Sequence, residues 1–309
     1  MAFPTRFTSM FGCRQPIQQA GIGGITGAEL ALAVARAGAL GMLSGAAGRD
    51  ALSMQLDTVA SDLAVGVNFL VPFLDRDAVE EASRRAPLVE FFWGEPDPLL
   101  VEVVHAGGAR AGWQVGSAEE ARAAEDVGCD LVVAQGIEAG GHVRGTIGLL
   151  ALLSEVCAAV EVPIVAAGGI GTGRAMAAAV MAGADAVRVG TRFLAALEST
   201  AHPTYVAALI AGHADDTVLT TAFGDGWPDA PHRVLRSAIR EGERRGNAQS
   251  WSPMWPTITS TGAIEAQALY AGQSVGAVTA RQPAAEIVAE IADEARRLLQ
   301  PSATGGTFT

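Results

Sequence analysis

Residues 163–191, Pro163-Ile-Val-Ala-Ala-Gly-Gly-Ile-Gly-Thr-Gly-Arg-Ala-Met-Ala-Ala-Ala-Val-Met-Ala-Gly-Ala-Asp-Ala-Val-Arg-Val-Gly-Thr191, hold one full repeat of the pattern that organises the chain. A short β-branched run ends in glycines, an Ala-rich stretch with helical spacing follows, and a second β-branched run ends in Gly190-Thr191. That order is a parallel βα unit. Working outward, the same alternation places strands at Pro16 to Gln19, Ala39 to Leu43, Ala64 to Phe69, Leu88 to Trp93, Arg110 to Val115, Leu131 to Gln135, Pro163 to Ala167 and Ala186 to Val189. Between them lie helical patterns such as Gly27 to Arg36, Asp50 to Ser61, Ala78 to Arg85, Ser117 to Val127 and Gly173 to Ala182. Ser117 followed by Glu120 has the spacing of a capping box. Eight consecutive units predict an α/β fold, a closed (β/α)8 TIM barrel, with an open doubly wound sheet as the alternative.

After the eighth unit the rhythm breaks. Residues 212–264 turn to Asp, Trp, Pro and Arg, with three of the five tryptophans, Trp227, Trp251 and Trp255. This predicts a small inserted domain near the C-terminus, either a cap over the barrel mouth that shapes the substrate site or a packing and interface segment. The barrel would then comprise 1–211 and 265–300, with helices at Ala263 to Ala271 and Pro283 to Leu299 and a disordered tail at 301–309.

Composition bounds the partners. All 21 basic residues are arginine, against 33 acidic ones, for a formal charge of -12. Without an ε-amine there is no Schiff-base lysine and no P-loop lysine. The acidic balance argues against nucleic acid, so small molecules or further copies of the chain are the expected partners. No apolar run approaches the length of about 18 residues read as a membrane span, so no membrane partner is expected. Cys13, Cys129 and Cys157 are too few and too scattered for a disulfide framework or a metal site, and a reducing cytoplasm is their simplest home. A homodimer, through the aromatic insert or the C-terminal helix, is left open.

Ligands of such a barrel gather at the C-terminal strand ends. Found there are Ala20, Gly21 and Ile22, Ser44, Asn68, Trp93, Gln114, Gln135, the run Gly136-Ile-Glu-Ala-Gly-Gly-His142, Gly168-Gly169 and Gly190-Thr191. Two glycine loops after the last two strands can surround a phosphate with backbone N–H groups, which suits a chain without lysine. The plainer alternative is that these glycines only make tight turns. His142, on a glycine loop and off any apolar helix face, suits a general base that removes a proton α to an electron-withdrawing group. A structural or exposed loop histidine is the competing possibility. No HExxH, HxH or Cys/His cluster accompanies it, and no GxSxG elbow, so neither a metal site nor a hydrolytic triad is expected. His105, His202 and His213 sit at helix ends, and His232 lies in the insert, either facing the cavity or packed away from it.

Gln135-Gly-Ile-Glu-Ala-Gly-Gly-His142, Val165-Ala-Ala-Gly-Gly-Ile-Gly171, the segment from Gly183 to Phe193 and Val67-Asn-Phe69 together resemble the nitronate monooxygenase family, formerly 2-nitropropane dioxygenases. The resemblance spans roughly residues 14–300. It implies FMN in a barrel with an insert, with O2 and a small-molecule nitronate as co-substrates, giving a carbonyl compound and nitrite. It places Ala20, Gly21, Ile22, Asn68, Gln135 and Gly140 near the flavin, Gly168, Gly169, Gly190 and Thr191 at the phosphate, and His142 as the catalytic base. The same superfamily includes FMN-dependent NAD(P)H oxidoreductases of quinones and enoyl thioesters, the alternative function, for which Arg233 to Arg245 would be the local cationic patch. Two features depart from the family pattern: Val143 stands between the histidine and Arg144-Gly145, and the lysine that some members place at the active site does not exist here.

Overall fold

The computed structural model describes residues 3–60, 63–246 and 251–300. Eight strands form one parallel sheet: β1 (Ile17–Gln19), β2 (Gly41–Ser44), β3 (Val65–Leu70), β4 (Leu88–Phe92), β5 (Arg110–Val115), β6 (Leu131–Gln135), and, beyond the two-residue β7 (Gly141–His142), β8 (Ile164–Ala167) and β9 (Ala186–Val189). The pairing order is β1-β9-β8-β6-β5-β4-β3-β2. A parallel bridge between Gln18 and Leu40 joins the two ends, with Leu40 N–H donating to Ile17 O and Gln19 N–H to Leu40 O, both at 2.9 Å. The sheet therefore closes, and the fold is a (β/α)8 barrel rather than an open sheet.

The helical patterns at 27–36, 78–85, 117–127 and 173–182 fall on helices Ala28–Arg36, Arg76–Arg85, Ala118–Asp126 and Gly173–Met181. The pattern from Asp50 ends earlier, at Leu56, and its last residue, Ser61, lies outside the described residues. The capping box is only half made. Ser117 Oγ accepts from Glu120 N–H, but the Glu120 carboxylate takes Gly116 N–H and the Arg144 guanidinium instead. The last helix, Ala284–Leu299, buries Ile287, Val288 and Ile291 and packs between Gly173–Met181 and Ala28–Arg36, filling the eighth place in the outer ring. Gly173 permits this approach, since a Cβ there would lie 2.4 Å from Glu294 Cβ. Beneath the sheet, helix Arg6–Phe11 inserts Phe7 among Leu40, Met42, Leu88, Leu131, Val133 and Val165, all fully buried. Each such side chain contributes about 1.5–3 kcal/mol. Arg6 ties the helix down through Asp185 at 2.6 Å.

The excursion after the barrel strands is anchored by a second, antiparallel sheet. Strands β10 (Thr217–Thr220) and β11 (His232–Leu235) pair with each other, and β11 pairs with β7, setting His232 opposite His142. A second apolar cluster packs Phe223, Val234 and Leu235 against Leu194, Tyr205 and Leu209 on one side and Leu269, Tyr270 and Val275 on the other. The expected helix at Ala263 to Ala271 does not form. Only a 3-10 turn, Ile264–Ala266, occurs there, because Leu269 O accepts from Leu235 N–H and Ala271 N–H donates to Arg233 O. Those bonds to β11 take backbone groups that a helix would have used. The tail at 301–309 lies outside the described residues. Among those residues no helix is long and apolar enough to cross a membrane.

Candidate active site

The sequence-predicted residues come together. Ala20, Gly21 and Ile22 after β1, Asn68 in β3, Gln135 in β6, Gly140 and His142 on the following loop, Gly168 and Gly169 after β8, and Gly190 and Thr191 after β9 all line one cavity at the C-terminal strand ends. Ser44 and Gln114 join them. The glycines are there for different reasons. Gly168 and Gly169 have φ of 105° and 70°, which demand glycine whatever binds. Gly140 presses on the chain at Gly272, whose N would lie 2.3 Å from an added Cβ. Gly190 has an ordinary φ of -114°, and a Cβ there would meet only Ala20 Cβ, at 3.4 Å. Backbone geometry does not explain Gly190. Thr191 opens a short helix, and its Oγ1 accepts from Gly272 N–H at 3.0 Å, joining the excursion to the barrel.

Gln135 holds the histidine loop. Its Nε2 donates to His142 O at 2.9 Å and its Oε1 accepts from Arg144 N–H at 3.4 Å. Val143, the extra residue, is buried and donates its N–H to Pro231 O, so the insertion extends the contact between this loop and the excursion. Around the His142 imidazole stand rings. Trp227 stacks on it at 4.3 Å and 29°, while Trp93, His232 and Tyr270 approach at 5.3–5.7 Å. Trp93 is the one non-glycine residue with positive φ (67°) among those described. A bulky residue held there costs on the order of 1–3 kcal/mol, offset by its ring contacts with His142 and Trp227. Among the described residues no side-chain or backbone group hydrogen-bonds the His142 ring. Burial, followed by repulsion from His232, pushes its pKa down to about 3, so it is a neutral base at ordinary pH.

The other histidines do other work. His232 is fully buried, with Nδ1 against Ala230 O and Nε2 accepting from Phe223 N–H, and it does not face the cavity. His105 pairs with Asp130 at a helix end, and His202 caps helix Pro203–Ala211. The two tyrosines of the wall are also committed. Tyr205 Oη donates to Tyr270 O, Tyr270 Oη donates to Pro253 O, and burial raises both pKa values. His142 is thus the wall residue free to move a proton. In the arginine-rich stretch, Arg233 is buried and donates to Ile137 O, Arg236 bonds Asp215 O and Thr217 O, and Arg244 and Arg245 pair with Glu241. Burial pushes the thiols of Cys13 and Cys129 up to about 12, and no cysteine lines the cavity.

Three buried polar residues, Glu90, Arg188 and Gln18, were not singled out in the sequence. Under the cavity, Arg188 and Glu90 form a buried ion pair inside the barrel. Arg188 also donates to Gln18 Oε1 and to Gln114 Oε1, at 2.9 and 2.6 Å, and Glu90 accepts from Gln18 Nε2 and Asn68 Nδ2. A glutamate inside the apolar run Leu88-Val-Glu-Phe-Phe92 and an arginine two residues before Gly190 were the available signals.

The family model for nitronate monooxygenase matches residues 5–79 and 62–294. The chain belongs to that family. It is 32% identical to the nitronate monooxygenase of Pseudomonas aeruginosa, an alignment covering 94% of this chain and 99% of that one. It is 35% identical to the (3aS,4S,5R,7aS)-5-hydroxy-7a-methyl-1-oxo-octahydro-1H-indene-4-carboxyl-CoA dehydrogenase of Mycobacterium tuberculosis, over 78% of this chain and 68% of that protein. The solved structure of FabK from Thermotoga maritima superimposes with a TM-score of 0.81 at 29% identity, covering 96% and 98% of the two chains. As a member of the nitronate monooxygenase family this chain is an oxidoreductase, and the family is flavin-dependent.

Proposed function

We propose that the protein binds FMN and oxidises alkyl nitronates, and neutral nitroalkanes after deprotonation, with O2, to a carbonyl compound and nitrite. The observation that carries the reading is His142, a neutral imidazole in the wall of a cavity whose other titratable side chains are tied to the protein. Gly190 supports a bound cofactor, since its missing Cβ leaves room at a wall position that needs no glycine for its own conformation. Ala20, Gly21, Ile22, Asn68, Gln135 and Gly140 would hold the ring system, and the backbone of Gly168, Gly169, Gly190 and Thr191 the phosphate. Bound FMN supplies the electron acceptor and the reaction with dioxygen, which the polypeptide has no group to provide. The excursion at 212–264 acts as the cap, with Trp227 over the base.

His142 takes the α-proton of a neutral nitroalkane. Burial and His232 disfavour its imidazolium, and the nitronate formed beside it restores that charge by pairing with it. The aromatic rings exclude water, which strengthens that pairing. A preformed nitronate needs no proton removed. His142→Asn is therefore expected to abolish the use of neutral nitroalkanes while sparing nitronates; unchanged nitroalkane oxidation would sink the assignment.

A second reading is an oxidoreductase of enoyl or other CoA thioesters, with or without NAD(P)H. The relative named as a carboxyl-CoA dehydrogenase and the apolar rings above the cavity favour it. Anaerobic mixing of the yellow protein with NADH, NADPH and a nitronate separates the two. Bleaching by a pyridine nucleotide with no response to nitronate would replace the first reading with the second.

A further inference from the structure

Of the residues that line the cavity, Arg188 alone bears a fixed charge. It is nine-tenths buried, in a chain with no lysine, and its partner Glu90 is fully buried and stands behind it, outside the cavity wall. Seen from the cavity, the pair is a dipole with its positive end forward. The network also orients its neighbours. Arg188 takes the oxygen of the Gln114 amide and Glu90 takes the nitrogen of the Asn68 amide. Among the described residues, Gln114 Nε2 and Asn68 Oδ1 have no protein partner, and both residues are in the wall. One donor and one acceptor thus remain for a ligand in the wall that holds the cation. The pyrimidine edge of an isoalloxazine ring alternates carbonyl acceptors with an N–H donor, which is the complementary set.

We infer that the Glu90–Arg188 pair is the electrostatic floor of the flavin site: Arg188 stabilises the negative charge that the ring acquires when reduced, and Glu90 limits that effect. The inference rests on the flavin reading above. A buried charge acts on the ring through a low dielectric, so its influence is large at van der Waals range. A purely structural ion pair would leave the ring's electron affinity alone, or shift it in one direction whichever partner were changed. A floor that acts by charge shifts it in opposite directions for the two partners.

The test uses the FMN-loaded protein and two readouts besides turnover, the midpoint potential of the bound flavin and its affinity for sulfite. Sulfite donates a sulfur lone pair to N5 of the oxidised ring, and the negative charge passes to the N1–C2 carbonyl region, so its dissociation constant reports a nearby cation. Glu90→Gln leaves Arg188 uncompensated; sulfite is expected to bind about tenfold tighter and the potential to rise. Arg188→Met is expected to bind sulfite about tenfold more weakly with a lower potential, while Arg188→Lys stays between it and the wild type. Shifts of the same sign in Glu90→Gln and Arg188→Met, or none in either, would overturn the inference. If Arg188→Met does not fold, Glu90→Gln against the wild type still decides it by the sign of its shift. A wild-type protein that fails to take up FMN overturns the flavin reading itself, a result distinct from any of these.

Discussion

Below the cavity, four amide and charged side chains of the barrel interior, with Asn68 beside them, form one connected hydrogen-bonding set. Above it, the excursion and the ends of β4 and β6 supply rings, and the imidazole of His142 lies among them without a hydrogen bond. The lower region fixes charge by pairing it; the upper region keeps a titratable group neutral by denying it a partner. Both are buried, so burial alone does not decide what a polar group does. Whether an opposite charge accompanies it does.

Removing a partner should hurt the lower region most. Arg188→Met strands the Glu90 carboxylate, and unfolding measured by denaturant should show a loss of about 3–5 kcal/mol, largely recovered in the Glu90→Gln, Arg188→Met double variant. In the upper region, His142→Asn should cost about 10²–10⁴-fold in kcat/KM for neutral nitroalkanes, with nitronates little changed. At the edge of the cavity, Gly190→Ala should weaken FMN binding by about tenfold with little change in the stability of the apoprotein, because its Cβ meets only Ala20. Gly168→Ala should do the reverse and lower stability by roughly 1 kcal/mol or more, since its φ of 105° is strained for alanine. A further effect is in pH. The folded pKa of His142, about 3, lies below the unfolded 6.5, so the unfolded chain binds more protons between those values. The stability His142 contributes is present in full above pH 6.5 and is lost as pH falls towards 3. Acid unfolding should be shallower in His142→Asn than in the wild type over that window.

The barrel was legible because each βα unit states its own period, and three of the strands, Arg110–Val115, Leu131–Gln135 and Ala186–Val189, have the bounds expected from sequence. The cavity wall was legible for the same reason: a residue at a strand end must face the mouth. The floor was not. Strands buried on both faces show no alternation of apolar and polar residues, so nothing local marks Glu90 or Arg188 as pointing inwards rather than outwards. Nor was the ring cluster, since Trp227 lies in a segment without periodicity and Tyr270 in one read as a helix, and they meet His142 through the pairings of β11 with β7 and with Tyr270. The backbone bonds of β11 to Leu269 and Ala271 defeated the expected helix at 263–271, whose apolar spacing serves the second cluster instead.

Phe7 and the packed layer around it stopper the barrel from below. The cavity lies at the opposite end, among the C-terminal strand ends, with His142 in its wall. With the lower end filled, whatever binds is left the strand-end side, and the residues of that rim are the ones it meets.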